Sequence, residues 1–441
     1  MYDVREKCNS CLDWQRKQDI ENRTASPRPA NKDKKLYILT SCIRIICVLI
    51  PYRPWRKQVR SFLTAHATDI IAQITSELSE RKLSDFIFLS HTVPPNTVLL
   101  VEPNNFHGVI LPGFVNYFQA AGYNVEVLLR PKVLDDNPFI RMKTKRLPVF
   151  FKASFRLMKK FLHSKKMKGY EFIFLTTSYY RHAVFQNTYI RFLGFEPQGK
   201  NGVLLVEHDM GEHFNEANEQ KYVDSHRLFS LSGFKNTQKL NPHYFGETNP
   251  KKKNAKTNFI IVGHPGTRSY ETLLEPVRTL IQNGNSNFVV TAIGARDVTF
   301  GDDIAPYIDI KGWLSFEEMY TEIENADFIL FLLDSSNKLH RKYIHNVTSG
   351  TMLLSLGFRC PPIIEQSFAS GYGFTRDNAI IYNGEDLLDA MTTAMCMDSK
   401  EYDSMCDALD RYSDEIYSQS LDTLKNALSI IENTMGRRNF H

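Results

Sequence analysis

Five short stretches of the chain carry residue types that bind anions or move protons. The first is Gly263-His264-Pro265-Gly266-Thr267-Arg268. Glycine lets backbone N–H groups come close to a phosphate, a following helix N-terminus favours the anion, and a guanidinium pairs with phosphate oxygens. Gly263, Gly266 and Arg268 are therefore candidate phosphate ligands. The stretch is not G-x-G-x-x-G, so the dinucleotide fingerprint is absent. A plain strand–helix turn is the competing reading. The second stretch is His340-Arg341-Lys342-Tyr343, followed by Thr348-Ser349-Gly350-Thr351. Hydroxyls and amides at a helix start are a natural seat for a diphosphate, with His340, Lys342 and Arg341 adding donors or charge. The competing reading is a solvated basic loop with a Ser/Thr cap.

The third stretch, Leu356–Ile364, reads as a helix-to-strand turn, with Gly357 as the helix C-cap. The fourth, Glu102-Pro103-Asn104-Asn105-Phe106-His107-Gly108, offers Glu102 or His107 as a general base toward a hydroxyl. The fifth, Glu207-His208-Asp209-Met210-Gly211-Glu212-His213, is dense in ionisable groups but matches no zinc spacing. There His208 or Asp209 reads as a base or as a group that positions a second substrate, and no metal is expected. Structural roles compete with chemistry at each of these histidines.

All five stretches need a scaffold that presents strand ends to a crevice. From about Asn96 short apolar runs alternate with helical segments: Thr97–Val101, Asn124–Leu129, Glu171–Thr176 and Gly202–Val206 as strands, with a helix over Pro112–Ala121. The pattern restarts after the polar 249–256 linker. Strands are expected at 259–262, 288–293, 307–311, 327–333, 361–364 and 379–382, with helices over 270–283, 316–325, 349–356 and from Glu385. Continuous apolar strands alternating with helices imply parallel sheets covered on both faces. Two doubly wound α/β halves are expected, with a cleft between them. The 441 residues exceed one compact core. The reading assigns 1–35 to a disordered leader, 36–248 and 249–400 to the two halves, and 401–441 to helices packing across them.

Net charge is only +5, so the position of charge matters more than its total. Arg141–Lys168 holds eleven Lys or Arg and no Asp or Glu, interleaved with Phe150, Phe151, Phe155 and Phe161. That pattern suits an anionic membrane surface. Nucleic acid is disfavoured, because the expected halves offer no base-reading element. Arg53, Arg56, Lys57 and Arg60 around Trp55 form a smaller basic patch. The seven cysteines, at 8, 11, 42, 47, 360, 396 and 406, are odd in number and irregular in spacing. They point to a reducing compartment rather than a disulfide framework. The apolar stretch Leu36–Ile50 contains Arg44 and is too short to span a bilayer.

The second half resembles the GT-B glycosyltransferases, in particular the family-4-like (group 1) enzymes of bacterial lipopolysaccharide and capsule synthesis. The stretches that carry the resemblance are NPHYFG (241–246), FIIVGHPGTRS (259–269), IKGWLSFEEMYTEIENADFILFLLD (310–334), HRKYIHNVTSGTMLLSLGFRCPPII (340–364) and FASGYGF (368–374). The resemblance implies a GT-B fold of two Rossmann-like domains. It also implies a nucleotide-diphosphate sugar bound by the C-terminal half and a glycan or lipid-linked acceptor bound by the N-terminal half. Gly263 and Arg268 would then lie near the diphosphate, with Thr348, Ser349 and Gly350 at the next helix start. The chain departs from the family pattern of two glutamates eight residues apart: His340 or Lys342 stands near the first position, and Thr351 or Met352 near the second. No D-x-D triplet occurs, so the expected chemistry uses no metal and no cofactor beyond the sugar donor. A nucleotide-sugar epimerase on the same fold, or a non-catalytic nucleotide- or glycan-binding protein, is the alternative.

Overall fold

The computed structural model describes residues 91–144, 146, 148–181, 189–191, 200–211, 216–295, 298, 300–384 and 386–438. The proposed leader, the Leu36–Ile50 stretch, the first basic patch, the first four cysteines, and Glu212 and His213 lie outside them. Contacts group the chain into two compact units. One comprises Thr92–Phe151, Met158–Tyr180 and Arg191–His441 and holds, but for Lys152, the two large sheets. The other comprises Met1–His91, Lys152–Leu157 and Arg181–Ile190. Within it, Ser154 Oγ accepts the Leu157 amide at 3.3 Å.

The first sheet is built from β1 (Thr97–Glu102), β2 (Asn124–Leu129), β3 (Val149–Lys152), β4 (Phe172–Leu175), β5 (Val203–Glu207), β6 (Leu228–Ser230) and β7 (Gln238–Lys239), in the order β3-β2-β1-β4-β5-β6-β7. The second is built from β8 (Thr257–Val262), β9 (Phe288–Ile293), β10 (Ile308–Gly312), β11 (Phe328–Leu330), β12 (Pro362–Glu365) and β13 (Ile380–Tyr382), in the order β10-β9-β8-β11-β12-β13. Both orders run outward from the first strand in each direction, the 3-2-1-4-5-6 pattern of a doubly wound sheet. From β2 to β7 in the first sheet and throughout the second, neighbouring strands are parallel, with β1 in register with β2 from Thr97↔Asn124 and β8 with β9 from Thr257↔Phe288.

Alternation along β8 explains the two cores. Ile260 points into a cluster that runs from Val98 and Phe174 through Phe245 and Phe358 to Leu424. Phe259 and Ile261 point the other way, into a cluster with Leu273, Val277 and Met391. The helices that close these layers are α1 (Leu111–Ala120), α2 (Glu271–Gln282), α3 (Phe316–Asn325), α4 (Gly350–Phe358), α5 (Leu387–Cys396) and α6 (Ser399–Arg438). α3 starts on a capping box, Ser315 with Glu318. The long α6 touches elements of both sheets. Tyr417 donates to Asn116 in α1 at 2.6 Å, and Tyr402 donates to the Asp327 carbonyl at 3.0 Å.

Two expectations need correction. The strand expected over 327–333 is shorter, Phe328–Leu330; the Phe331 amide still bonds the Ile363 carbonyl at 3.1 Å, and Leu332 then takes a left-handed φ of 44°. Gly357 does not cap α4. The helix continues to Phe358, and Arg359, at φ 52°, is the left-handed C-cap. Gly357 is needed for space, since a Cβ there would run into the His243 carbonyl and the Phe245 ring.

Candidate functional site

The loop after β8 and the start of α4 come together around Arg268. Gly263, at φ 139°, leaves room for that side chain: a Cβ there would lie 3.2 Å from Arg268 Cγ and Nε. The Gly263 carbonyl is held by Tyr270 Oη at 2.9 Å. Arg268 is 6% exposed. Its Nη1 donates to the Thr267 carbonyl at 2.6 Å, and its Nη2 donates to Ser349 Oγ at 3.1 Å and Thr351 Oγ1 at 2.5 Å. Its Nε is buried with no hydrogen-bond partner. Among the described residues no carboxylate pairs with it. A buried cation held by neutral oxygens alone is costly and lacks a counter-charge.

Ser349 is the N-cap of α4, and its Oγ accepts the Thr351 amide. Its own amide donates to Tyr372 Oη at 3.1 Å. Gly350 stands exposed at the first turn with open space beside it. Arg268, two hydroxyls and a helix N-terminus thus come together in an arrangement whose chemistry suits an anion.

Two imidazoles border the Arg268 charge. His264 accepts the Gly266 amide on Nδ1 at 3.0 Å, and His340 accepts the Asp334 amide on Nδ1 at 3.1 Å. Both pKa values are pushed down, first by burial and then by the Arg268 charge. Both rings are therefore neutral near pH 7 and carry their proton on Nε2. Lys342 and Thr348 stand apart from the Arg268 contacts. Lys342 is exposed, with its ammonium 5.7 Å from the Tyr343 ring centre. Thr348 shares a hydrogen bond of 2.7 Å with Ser232.

The other candidates gather at the C-terminal ends of β1, β4 and β5. Glu102 is fully buried. Its Oε1 accepts the Asn104 amide at 2.7 Å, and its Oε2 accepts the Thr176 and Thr177 hydroxyls at 2.6 and 2.7 Å. Burial raises its pKa to about 7, against the opposing pull of those bonds. Thr177 Oγ1 lies 2.7 Å from His107 Nδ1. With Glu102 ionised, the Thr177 proton goes to the carboxylate, so the hydroxyl must accept from His107 Nδ1–H. Nε2 of His107 is then the nitrogen with the lone pair.

His208 stacks on His107 with ring centres 4.2 Å apart and 15° between planes. Its Nε2 donates to the Thr176 carbonyl at 2.8 Å. Glu207 accepts Ser178 Oγ at 2.6 Å and the His208 amide at 3.0 Å. Asp209 is buried, and its Oδ1 accepts the Gly211 amide at 2.9 Å. Glu102 thus acts on His107 through Thr177, and His107 is the better-placed base. Sequence reasoning passes over Thr176, Thr177 and Ser178. Three hydroxyls in a row at a strand end were the available signal, as was Tyr372 within FASGYGF.

Among the described residues no group of three or more His, Cys, Asp or Glu could hold a metal ion. The two best-formed cavities, of about 260 Å³ beside His243, Phe245 and Arg359 and about 1150 Å³ beside Ile381, Asp389 and Glu401, do not include Arg268, Ser349, His107 or His208.

The basic run folds with its apolar half inward. Phe151, Met158, Phe161 and Met167 are buried, while Lys159, Lys160, Lys165 and Lys168 are exposed. Phe151 and Phe161 are used by the protein interior, while Phe150 and Phe155 are half-buried. Among the described residues no helix is long and apolar enough to cross a membrane.

Two doubly wound sheets whose strand-end loops meet, Asp209 bridging to Val347, define the GT-B architecture. No family model matches the sequence, and no curated protein matches it. Solved structures of similar architecture include a glycosyltransferase from Rickettsia africae, 10% identical, covering 77% of this chain and 98% of that one at a TM-score of 0.45. An O-GlcNAc transferase from Thermobaculum terrenum is 8% identical, covering 78% and 69% at 0.44. A protein described as a UDP-N-acetylglucosamine 2-epimerase from Listeria monocytogenes is 8% identical, covering 71% and 91% at 0.39. Likeness at this level identifies neither a ligand nor a reaction.

Proposed function

We propose that the chain is a glycosyltransferase that moves a sugar from a nucleotide-diphosphate donor to a hydroxyl of a cell-surface polysaccharide or lipid-linked glycan precursor. The observation that carries this reading is the Arg268 seat: a buried guanidinium with an unpartnered Nε, two hydroxyls and the α4 N-terminus, with no counter-charge among the described residues. A donor diphosphate supplies that counter-charge. The acceptor hydroxyl gives its proton to His107 Nε2, and its oxygen forms the new bond to the sugar. The bond from sugar to diphosphate breaks, and its electron pair stays on the diphosphate oxygen. Arg268, Ser349 and the helix amides stabilise that charge where a cation would otherwise be required. Glu102 and Thr177 hold the ring in the accepting tautomer. The exposed lysines between Lys159 and Lys168 hold the protein at an anionic membrane face, where a lipid-linked acceptor is presented.

Calorimetry with UDP, GDP and dTDP tests the reading. Arg268→Ala removes a cation from a largely desolvated phosphate site, at a cost of about 2–5 kcal/mol, so affinity should fall well over tenfold. Unchanged affinity would place the phosphate elsewhere. Conversion of a sugar nucleotide with no acceptor present would favour an epimerase, and binding with no turnover a non-catalytic receptor.

A further inference from the structure

Residues 346–351 serve two neighbours at once. On one side they meet the loop after β5. The Met210 amide donates to the Asn346 carbonyl at 3.0 Å, and Asp209 forms an antiparallel bridge with Val347. The Thr348 hydroxyl pairs with Ser232 at 2.7 Å. Gly211 packs so closely on Asn346 that a Cβ would lie 2.8 Å from its Nδ2. On the other side, Ser349 and Thr351 hold the Arg268 guanidinium. Tyr372 ties the two sides together: its Oη accepts the Ser349 amide at 3.1 Å and donates to the Val347 carbonyl at 3.4 Å.

We propose that this segment is a coupling latch: an anion on Arg268, Ser349 and the α4 N-terminus fixes the backbone of 346–348, and that backbone positions the His208–Gly211 loop. The inference rests on the donor reading above and adds Gly211 and Ser232 as positioning residues. Physically, the bound anion orders Ser349 and Thr351. Asn346 and Val347 lie only a few residues away, and Tyr372 spans the gap, so order at one end restricts the other. Coupling of this kind is reciprocal. If the anion stabilises the Asp209–Val347 bridge, the bridge strengthens anion binding by the same factor.

Amide hydrogen exchange on the full chain, with and without saturating UDP or pyrophosphate, tests the latch. The expected result is slowed exchange at Thr351 and Met352 and also at Met210, whose amide bonds Asn346. The double variant Gly211→Val, Ser232→Ala wedges the loops apart. In it UDP should still slow exchange at 351–352 but not at 210, and UDP affinity should fall about fivefold or more, within the usual range of coupling factors. Slowing confined to 349–352 in the native chain, with ligand shown to be bound, overturns the latch and leaves the donor reading standing. Absence of binding by either ligand overturns both. The native-chain measurement decides the matter even if the variant fails to fold.

Discussion

Glu102→Gln removes one buried charge and reverses one proton relay. Burial raises the Glu102 pKa from 4.5 to about 7 although four hydrogen bonds pull it down. That rise corresponds to about 3 kcal/mol. The folded state holds the proton more tightly than the unfolded one, so its stabilising contribution is fully present below pH 4.5 and is lost as pH rises through 7. Glutamine does not titrate. The difference in unfolding free energy should therefore move in favour of the variant by about 3 kcal/mol between pH 4 and pH 8, read by urea unfolding across that range. The local geometry makes a second claim. The Asn104 amide still needs an acceptor, so the new amide oxygen takes it and the NH₂ group faces Thr176 and Thr177. Thr177 then accepts from the amide and donates to His107 Nδ1. The ring proton moves to Nε2, which can no longer accept a proton from a hydroxyl. Transfer should slow about 10²–10⁴-fold, the usual worth of a positioned base. Nitrogen-15 spectra of labelled histidine report which ring nitrogen carries the proton. His107 protonated on Nδ1 in both proteins would refute the relay, and parallel stability curves from pH 4 to 8 would refute the raised Glu102 pKa.

Transfer activity is expected to persist in excess EDTA, because Arg268 and the α4 N-terminus supply the positive potential; loss of activity restored by Mn²⁺ or Mg²⁺ would contradict this. Gly357→Ala should cost about 1–3 kcal/mol or more in denaturant unfolding, as overpacking against the His243 carbonyl and the Phe245 ring; a neutral effect would mean that this contact relaxes freely. The full chain should co-sediment with phosphatidylglycerol vesicles but not with neutral ones, each lysine near the surface contributing about 1 kcal/mol. With Phe151 and Phe161 inside the protein, salt near 1 M should release nearly all of it, and charge reversal at Lys159, Lys160, Lys165 and Lys168 should prevent binding. Binding that resists salt would require an inserted apolar part.

The sequence made the scaffold readable where pattern and burial agree. β2, β9 and α3 have the boundaries that their apolar runs imply, because each strand is buried on both faces and α3 begins on a capping box. β3 was not readable: VFFK lies inside a basic run whose composition suggested a surface segment. The same run shows why amphipathicity is ambiguous. A helix with lysines on one face and phenylalanines on the other suits a membrane or a protein core equally, and only the tertiary packing decides. The meeting of Arg268 with Ser349 and Thr351 was legible, because glycine, guanidinium and hydroxyls sat between a strand and a helix. Thr177 and Tyr372 were not. Their roles depend on partners 70 and 23 residues away, His107 and Ser349, a separation that local patterns do not encode.

The charge arrangement follows a single logic. Around Arg268 the neighbouring imidazoles are kept neutral by burial and by the guanidinium itself, so one permanent charge dominates the seat and does not change with pH near 7. Around His107 the charge is adjustable, because Glu102 titrates near neutrality and His208 stacks on the ring. A proton arriving on His107 is balanced by Glu102 only while Glu102 is ionised. Leaving-group stabilisation should therefore be flat from pH 7 to 8, where both imidazoles are neutral, while proton acceptance should strengthen over the same range as Glu102 loses its proton. A rate that rises with pH while affinity for an intact nucleotide sugar, whose diphosphate has no group titrating there, stays constant would separate the two halves of the site within one titration.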